Sequence, residues 1–284
     1  MEQDRGRRKT KVNANPRPRY EGARVLVTGA ARGIGLAIAR AYLSEGAHVV
    51  VVDSDMGALT AAFETESLTT CIAAGVGSSA LFNQLSEEPE IDVLINNVGI
   101  SSDMSFTDSS MDQVRNTFDT NVFGPWELTR SVVDRWLRAP GHIRNVVFIS
   151  SLHAEKVRMV PDYSCTKAAI EMLVKELAVE LGPHGIRVNA VEPGAIDTWS
   201  KAGRSDHDAH IRASSEQIPL RRLGQATEVA RQVVHLSDNE VSAYVTGAIL
   251  RVDGGLSHYN WLHTLYGSAA VERVKVEQLF EDAE

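Results

Sequence analysis

Tyr163 and Lys167 stand four residues apart in Tyr163-Ser-Cys-Thr-Lys167, and on a helix that spacing puts two side chains on one face. A phenol beside an ammonium is equipped to move a proton. The phenol ordinarily keeps its proton until about pH ~10, and adjacent positive charge favours the phenolate. Such a tyrosine can take a proton from a substrate hydroxyl in one direction and return it in the other. The same spacing also occurs as an ordinary surface pair, so its meaning depends on what surrounds it.

The pair opens the clearest helical stretch of the chain. Ala169, Ile170, Leu173, Leu177 and Leu181 recur at three- and four-residue steps until Gly182-Pro183, which predicts a helix over 163–181. A second helix is expected over 33–45, ended by Gly46, and a third over 111–138, long enough that Pro125 should kink or break it. Between the helical segments lie short runs rich in Val and Ile, at 24–28, 48–53, 69–73, 92–96, 145–150, 187–191 and 248–252. They lack polar alternation, as strands covered on both faces do. The alternation of strand and helix predicts an α/β protein with one doubly wound, seven-stranded parallel sheet of Rossmann type and helices on both faces. No repeat or linker interrupts residues 21–257, which are read as one domain.

The first strand runs directly into Gly29-Ala-Ala-Arg32-Gly33-Ile34-Gly35 and then a helix. Glycines at a strand-to-helix turn allow close backbone approach, and the helix N-terminus attracts a pyrophosphate. Asp53 ends the second strand 18 residues after Gly35, where an acid accepts hydrogen bonds from an adenosine ribose. Its charge would repel a 2′-phosphate. Arg32 pulls the other way, but Ser54-Asp55-Met56 supplies no basic clamp, so the expected cofactor is NAD.

With these elements in order, residues 22–256 resemble the short-chain dehydrogenase/reductase family. The match runs through the glycine motif at Thr28–Gly35, Asn96-Asn97-Val98-Gly99, Asn121, Tyr163-x-x-x-Lys167, and Pro193-Gly194 followed by Ile196 and Thr198. The resemblance implies an alcohol–ketone oxidoreductase with Tyr163 as general acid/base. Lys167 would orient the nicotinamide ribose, Ser151 would hold the substrate oxygen, and Asn121 would hold a water in the proton relay. It also implies cofactor contacts from Gly29, Arg32, Gly33, Ile34, Gly35, Asn97, Gly99, Pro193, Gly194, Ile196 and Thr198. Ser150 and Ser151 are adjacent, and the family's Ser-Ser-x-x-Gly pattern favours Ser151, although Ala154 replaces its glycine. Val98 stands for the commoner alanine, and Ala74-Gly75-Val76 lacks the family's adenine-binding aspartate. A homotetramer is expected on the same ground.

Substrate selection is expected after Ser151 and in 196–225, with His153 and Trp199 as contacts and Glu155 and Lys201 as further polar candidates. Ser-Leu-His, Pro-Gly-Ala-Ile-Asp-Thr and Asp-Gly-Gly-Leu more weakly resemble the glucose 1-dehydrogenase branch, which suggests a sugar or polyol. The alternatives are a non-catalytic nicotinamide-binding sensor, against which the intact Tyr163, Lys167, Ser151 and Asn121 argue, and an NADP-linked ketone or 3-oxoacyl reductase. His207-Asp208-Ala-His210 has no fourth ligand and is read as solvated charge, so no metal is expected.

Composition narrows the remaining classes. A net charge of −8 opposes binding to a phosphate backbone, so nucleic acid is not an expected partner. No apolar run reaches the ~20 residues of a membrane span, and no signal-peptide core is present. Cys71 and Cys165 form neither a metal nor a disulfide framework, which suits a reducing cytoplasm. Residues 1–20 carry seven Lys/Arg and almost nothing apolar, a basic arm expected to be disordered. Residues 258–284 form an aromatic and then acidic extension, expected to pack on the body or a neighbouring subunit.

Overall fold

The computed structural model describes residues 18–139, 144–198 and 215–258. Trp199, Lys201, the His207-Asp208-His210 group, most of the basic arm and nearly all of the C-terminal extension lie outside the described residues.

Seven parallel strands form one sheet in the order β3-β2-β1-β4-β5-β6-β9. They are β1 (Arg24–Thr28), β2 (His48–Asp53), β3 (Thr69–Ala73), β4 (Val93–Asn96), β5 (Arg144–Ile149), β6 (Ile186–Pro193) and β9 (Ile249–Val252). Six lie within one residue of the predicted ends; β6 also gains Glu192 and Pro193, because its ladder continues onto β9 through Glu192↔Arg251 and Pro193↔Val252. Two further two-residue strands, β7 (Ile196–Asp197) and β8 (Gly224–Gln225), pair apart from the main sheet. They are too short to carry a period that sequence could reveal.

The period-two alternation of the strands sorts the core onto two faces. Val25, Val27, Val49, Val51, Val93 and Ile95 pack with α1 (Gly33–Ser44), α2 (Met56–Phe63) and α7 (Ala226–Ser237). Leu26, Val50, Val52, Leu94, Val146 and Phe148 face α3 (Ser79–Glu87), α5 (Gly124–Arg138) and α6 (Pro161–Leu181). Strand order reverses between β1 and β4, which opens a crevice at their carboxyl ends.

Two expectations change in detail. The 111–138 segment divides into α4 (Met111–Phe118), a π-helical turn at Asp119–Phe123 and α5, so the break precedes Pro125. Proline lacks the N–H that would bond the carbonyl four residues earlier; the ladder widens, and the Gly124 N–H donates to the Asp119 carbonyl. The segment expected to be a disordered arm includes Tyr20, which is placed in the body. Tyr20 is buried, and its hydroxyl donates to the Val234 carbonyl at 2.8 Å. No described helix is long and apolar enough to cross a membrane.

Candidate active site

Gly29 and Gly33 have φ of +64° and +57°, conformations that glycine adopts without steric cost. A Cβ on Gly35 would lie 2.1 Å from the Gly29 carbonyl oxygen, so the first turn of α1 can approach β1 only without a side chain. The Asn97 amide donates to the Thr28 and Gly29 carbonyls at 2.9 and 3.1 Å, and Thr28 Oγ1 accepts from the Asn97 and Val98 N–H groups at 3.0 and 3.2 Å. Asn97, expected as a cofactor contact, thus spends its amide bracing the turn, though it also lines the neighbouring cleft.

Asp53 lies beside this turn. It accepts from the Ala31 N–H at 3.1 Å and from the Asp55 N–H at 3.2 Å. The Arg32 guanidinium meets Asp55 at 3.1 Å, and no side chain caps the N-terminus of α1. A side-chain-free cradle at an uncapped helix start fits a dinucleotide pyrophosphate. Gly29, Arg32, Gly33, Ile34 and Gly35 are the residues that could hold it.

Beyond the turn, a cleft of about 510 Å³ is lined by Ile34, Asn97, Gly99, Ile149, Ser150, Ser151, His153, Arg158, Tyr163, Lys167, Leu223 and the run from Pro193 to Thr198. The described residues expected on the nicotinamide and substrate side meet here, with Asn121 behind them. Thr198 folds back toward the glycine turn, its Cβ 3.5 Å from where a Gly33 Cβ would stand. Gly194 lets the chain pass Asp253, whose Cβ would lie 2.6 Å from an added methyl.

Tyr163 and Lys167 occupy the first and second turns of α6, which begins two residues earlier than expected, at Pro161, a position proline favours. Lys167 is buried, and Nζ donates to the Ile149 carbonyl at 2.8 Å while lying 5.6 Å from the Tyr163 ring centroid. The ammonium is fixed to β5 as well as carried by α6. It can therefore act on the phenol from a set position.

The adjacent serines have separate partners. Ser150 donates to Glu171 Oε1 at 2.7 Å, whereas Ser151 Oγ accepts from the His153 N–H at 3.2 Å. An acceptor role leaves the Ser151 hydroxyl proton for another oxygen. Burial pushes the Glu171 carboxyl above its ordinary range, opposed by the Ser150 hydrogen bond.

Asn121 sits in the π turn. Its amide accepts from the Ile100 N–H and donates to the Ile100 carbonyl, both at 2.8 Å, and donates to Thr166 Oγ1 at 3.0 Å. Thr166 in turn donates to the Tyr163 carbonyl at 2.7 Å. The side chain thus joins the loop after β4 to α6, and Pro125 has no N–H to offer the Asn121 carbonyl.

Sequence reading missed Asp162, Arg158 and Arg251. Asp162 accepts from Thr117 Oγ1 at 2.8 Å and from the Ser102 N–H at 3.2 Å; these bonds outweigh burial and hold its carboxyl below the usual range. Arg251 joins buried Glu192 at 2.5 Å to Glu155, in the loop after Ser151, at 2.7 Å. Only the polarity of the segment after Ser151 had signalled a role there. Among the described residues no cluster of His, Cys, Asp and Glu could hold a metal ion.

A fold with its dinucleotide cradle at the strand-order reversal and a Tyr–Lys pair beside it defines a nicotinamide-linked oxidoreductase. Residues 29–257 match the family profile described as enoyl-(acyl carrier protein) reductase. The chain is 37% identical over 247 residues to L-rhamnose 1-dehydrogenase (NAD(P)(+)) of Azotobacter vinelandii, a match covering 82% of this chain and 95% of that protein. It resembles the ligand-free aldohexose dehydrogenase of Thermoplasma acidophilum (29% identity, TM-score 0.75, 85% and 96% of the chains). It also resembles a 3-oxoacyl-[acyl-carrier protein] reductase of Brucella melitensis with bound NAD (31%, TM-score 0.76, 86% and 96%). The chain belongs to the short-chain dehydrogenase/reductase family and is an oxidoreductase of the alcohol–ketone type.

Proposed function

We propose that the protein oxidises a secondary alcohol of a sugar or polyol to the ketone with NAD, and runs the reverse reduction at the same site. The observation that carries this reading is the Tyr163 phenol in a cleft with buried Lys167, whose ammonium is held on the Ile149 carbonyl 5.6 Å from the ring centroid. Ser151 donates to the reacting oxygen and orients it, the ionised Tyr163 oxygen takes the hydroxyl proton and becomes the neutral phenol, and the Lys167 ammonium stands beside it. Bound nicotinamide dinucleotide supplies the hydride acceptor. Asn121 supports the relay through Thr166, and His153 borders the substrate end. The sugar reading is supported by relatives named for rhamnose and aldohexoses.

NAD is preferred over NADP because the Asp53 carboxylate stands at the end of β2, and Arg32 is drawn to Asp55 at 3.1 Å. A 2′-phosphate would meet that carboxylate. Residues 21–257 act as one catalytic body in the cytoplasm. A homotetramer is favoured by exposed Phe123, Trp126, Met172 and Val179, on and beside α5 and α6.

The test is the absorbance change at 340 nm with aldoses, polyols, steroids and keto-esters, each with NAD and NADP, for the wild type and Tyr163→Phe. The expected result is NAD-linked turnover that falls below about a hundredth in the variant, with NAD still bound. Residual turnover above that level would falsify the role of Tyr163, and tighter binding of NADP than NAD by calorimetry would remove that of Asp53.

A further inference from the structure

Arg158 is the cleft's unassigned cation. Its guanidinium carbon lies 5.9 Å from the Tyr163 ring centroid, and the residue lines the cleft with Ser151 and His153. The other charged groups lining the cleft are Lys167, committed to the Ile149 carbonyl at 2.8 Å, and Asp197 on β7. The whole chain carries −8, so positive charge beside the reacting phenol is a local arrangement and no general property of the surface.

The guanidinium's only ion pair among the described residues is with Asp103 at 3.4 Å, and the two side chains are 44% and 70% exposed. An exposed pair of that kind holds weakly, so an incoming anion can take the place of Asp103. The pair spans two loops with left-handed backbone at non-glycine residues: Asp103 at φ 55° and Met159, next to Arg158, at φ 64°. Such conformations persist where surrounding structure fixes them and gather at ligand sites.

His153 adds a second recognition point. Burial lowers its pKa, as does the Arg158 charge, against the opposing Lys156 hydrogen bond; the neutral ring is therefore favoured. Nδ1 lies 3.2 Å from the Lys156 carbonyl, which can only accept, so Nδ1 carries the hydrogen and Nε2 is left as an acceptor. A cation and a neutral acceptor thus stand on the same wall as Tyr163.

We infer that the alcohol oxidised here carries an anionic end, a carboxylate or a phosphate, that pairs with Arg158 while a neighbouring hydroxyl donates to His153 Nε2; a hydroxy or sugar acid has both groups. A guanidinium binds either anion through two parallel hydrogen bonds. This assignment rests on the oxidoreductase reading above and adds the substrate class.

The test compares matched probes with NAD: D-glucose, D-gluconate, D-glucose 6-phosphate, L-rhamnose and L-rhamnonate. Turnover and calorimetric binding to the enzyme–NAD complex are measured for the wild type, Arg158→Gln, Arg158→Lys and Asp103→Asn. Acidic probes should be favoured over their neutral partners. Arg158→Gln should cut that preference on the order of 10- to 100-fold, with partial recovery in Arg158→Lys. Asp103→Asn, which keeps a residue tolerant of positive φ, should tighten acid binding because it removes the competing carboxylate. Opposite signs for the two positions exclude a purely structural role of the pair. An anion preference unchanged by Arg158→Gln, or acids binding no better than neutral sugars, overturns the inference. Acid binding that depends on Arg158 without any NADH formation would instead overturn the catalytic reading and leave the anion site standing. Gluconate and glucose 6-phosphate distinguish the two anions.

Discussion

Ser150 and Ser151 share a residue type and differ in what the strand does with them. Ser150 has the parity of Phe148, whose side chain packs in the layer with α6, and meets Glu171 on that helix at 2.7 Å. Ser151 falls on the next step and faces the cleft. Ser151→Ala should lower kcat/KM on the order of 10²-fold, the effect of losing one hydrogen bond to the reacting oxygen. Ser150→Ala leaves a buried carboxyl without its donor and should cost about 1–3 kcal/mol of stability. Steady-state kinetics and urea unfolding of the two variants separate these outcomes; equal kinetic losses would argue that the serine assignment is mistaken.

At the scale of elements, the glycine turn and the π turn hold the two halves of the site. Gly35→Ala would set a methyl 2.1 Å from the Gly29 carbonyl oxygen. Backbone cannot swing aside as a flexible side chain can, so α1 should move outward, at a cost of about 1–3 kcal/mol, and NAD should bind more weakly by calorimetry. Unchanged affinity would mean that the cradle does not contact the dinucleotide. The π turn also shows how far a sequence signal reaches. Pro125 announced a break, but the irregular backbone is at Asp119–Phe123, because a proline acts through the hydrogen bond it denies upstream. That displacement puts Asn121 inside the irregular turn.

Across the molecule, carboxyls connect the site to the sheet. Glu171 on α6 bonds Ser150 at the end of β5, and Arg251 on β9 joins Glu192 of β6 to Glu155 in the loop after Ser151. Glu171 is held above the ordinary carboxylate range by burial, and the charges of Glu192 and Glu155 act in the same direction. Its folded form therefore binds a proton more tightly than its unfolded form. The resulting stability is fully present below the ordinary carboxylate value and is lost as pH rises through the raised one. Thermal melts across that window should show a decline for the wild type and a smaller one for Glu171→Gln. Parallel curves would remove Glu171 as the cause.

Strand and helix periodicity, together with the spacing of glycines, Asp53, Tyr163 and Lys167, was enough to place the seven strands, the glycine turn after β1 and the Tyr163–Lys167 pair on one helix. These features are local, so a linear pattern can carry them. Tertiary structure alone decided that Asn97 braces the glycine turn, that Ser150 belongs to Glu171, and that Arg158 stands over Tyr163. Each depends on segments distant in sequence, or on loops without a period, meeting at a few ångströms. Such meetings follow from how the elements pack on the sheet, and no residue's own neighbours encode them.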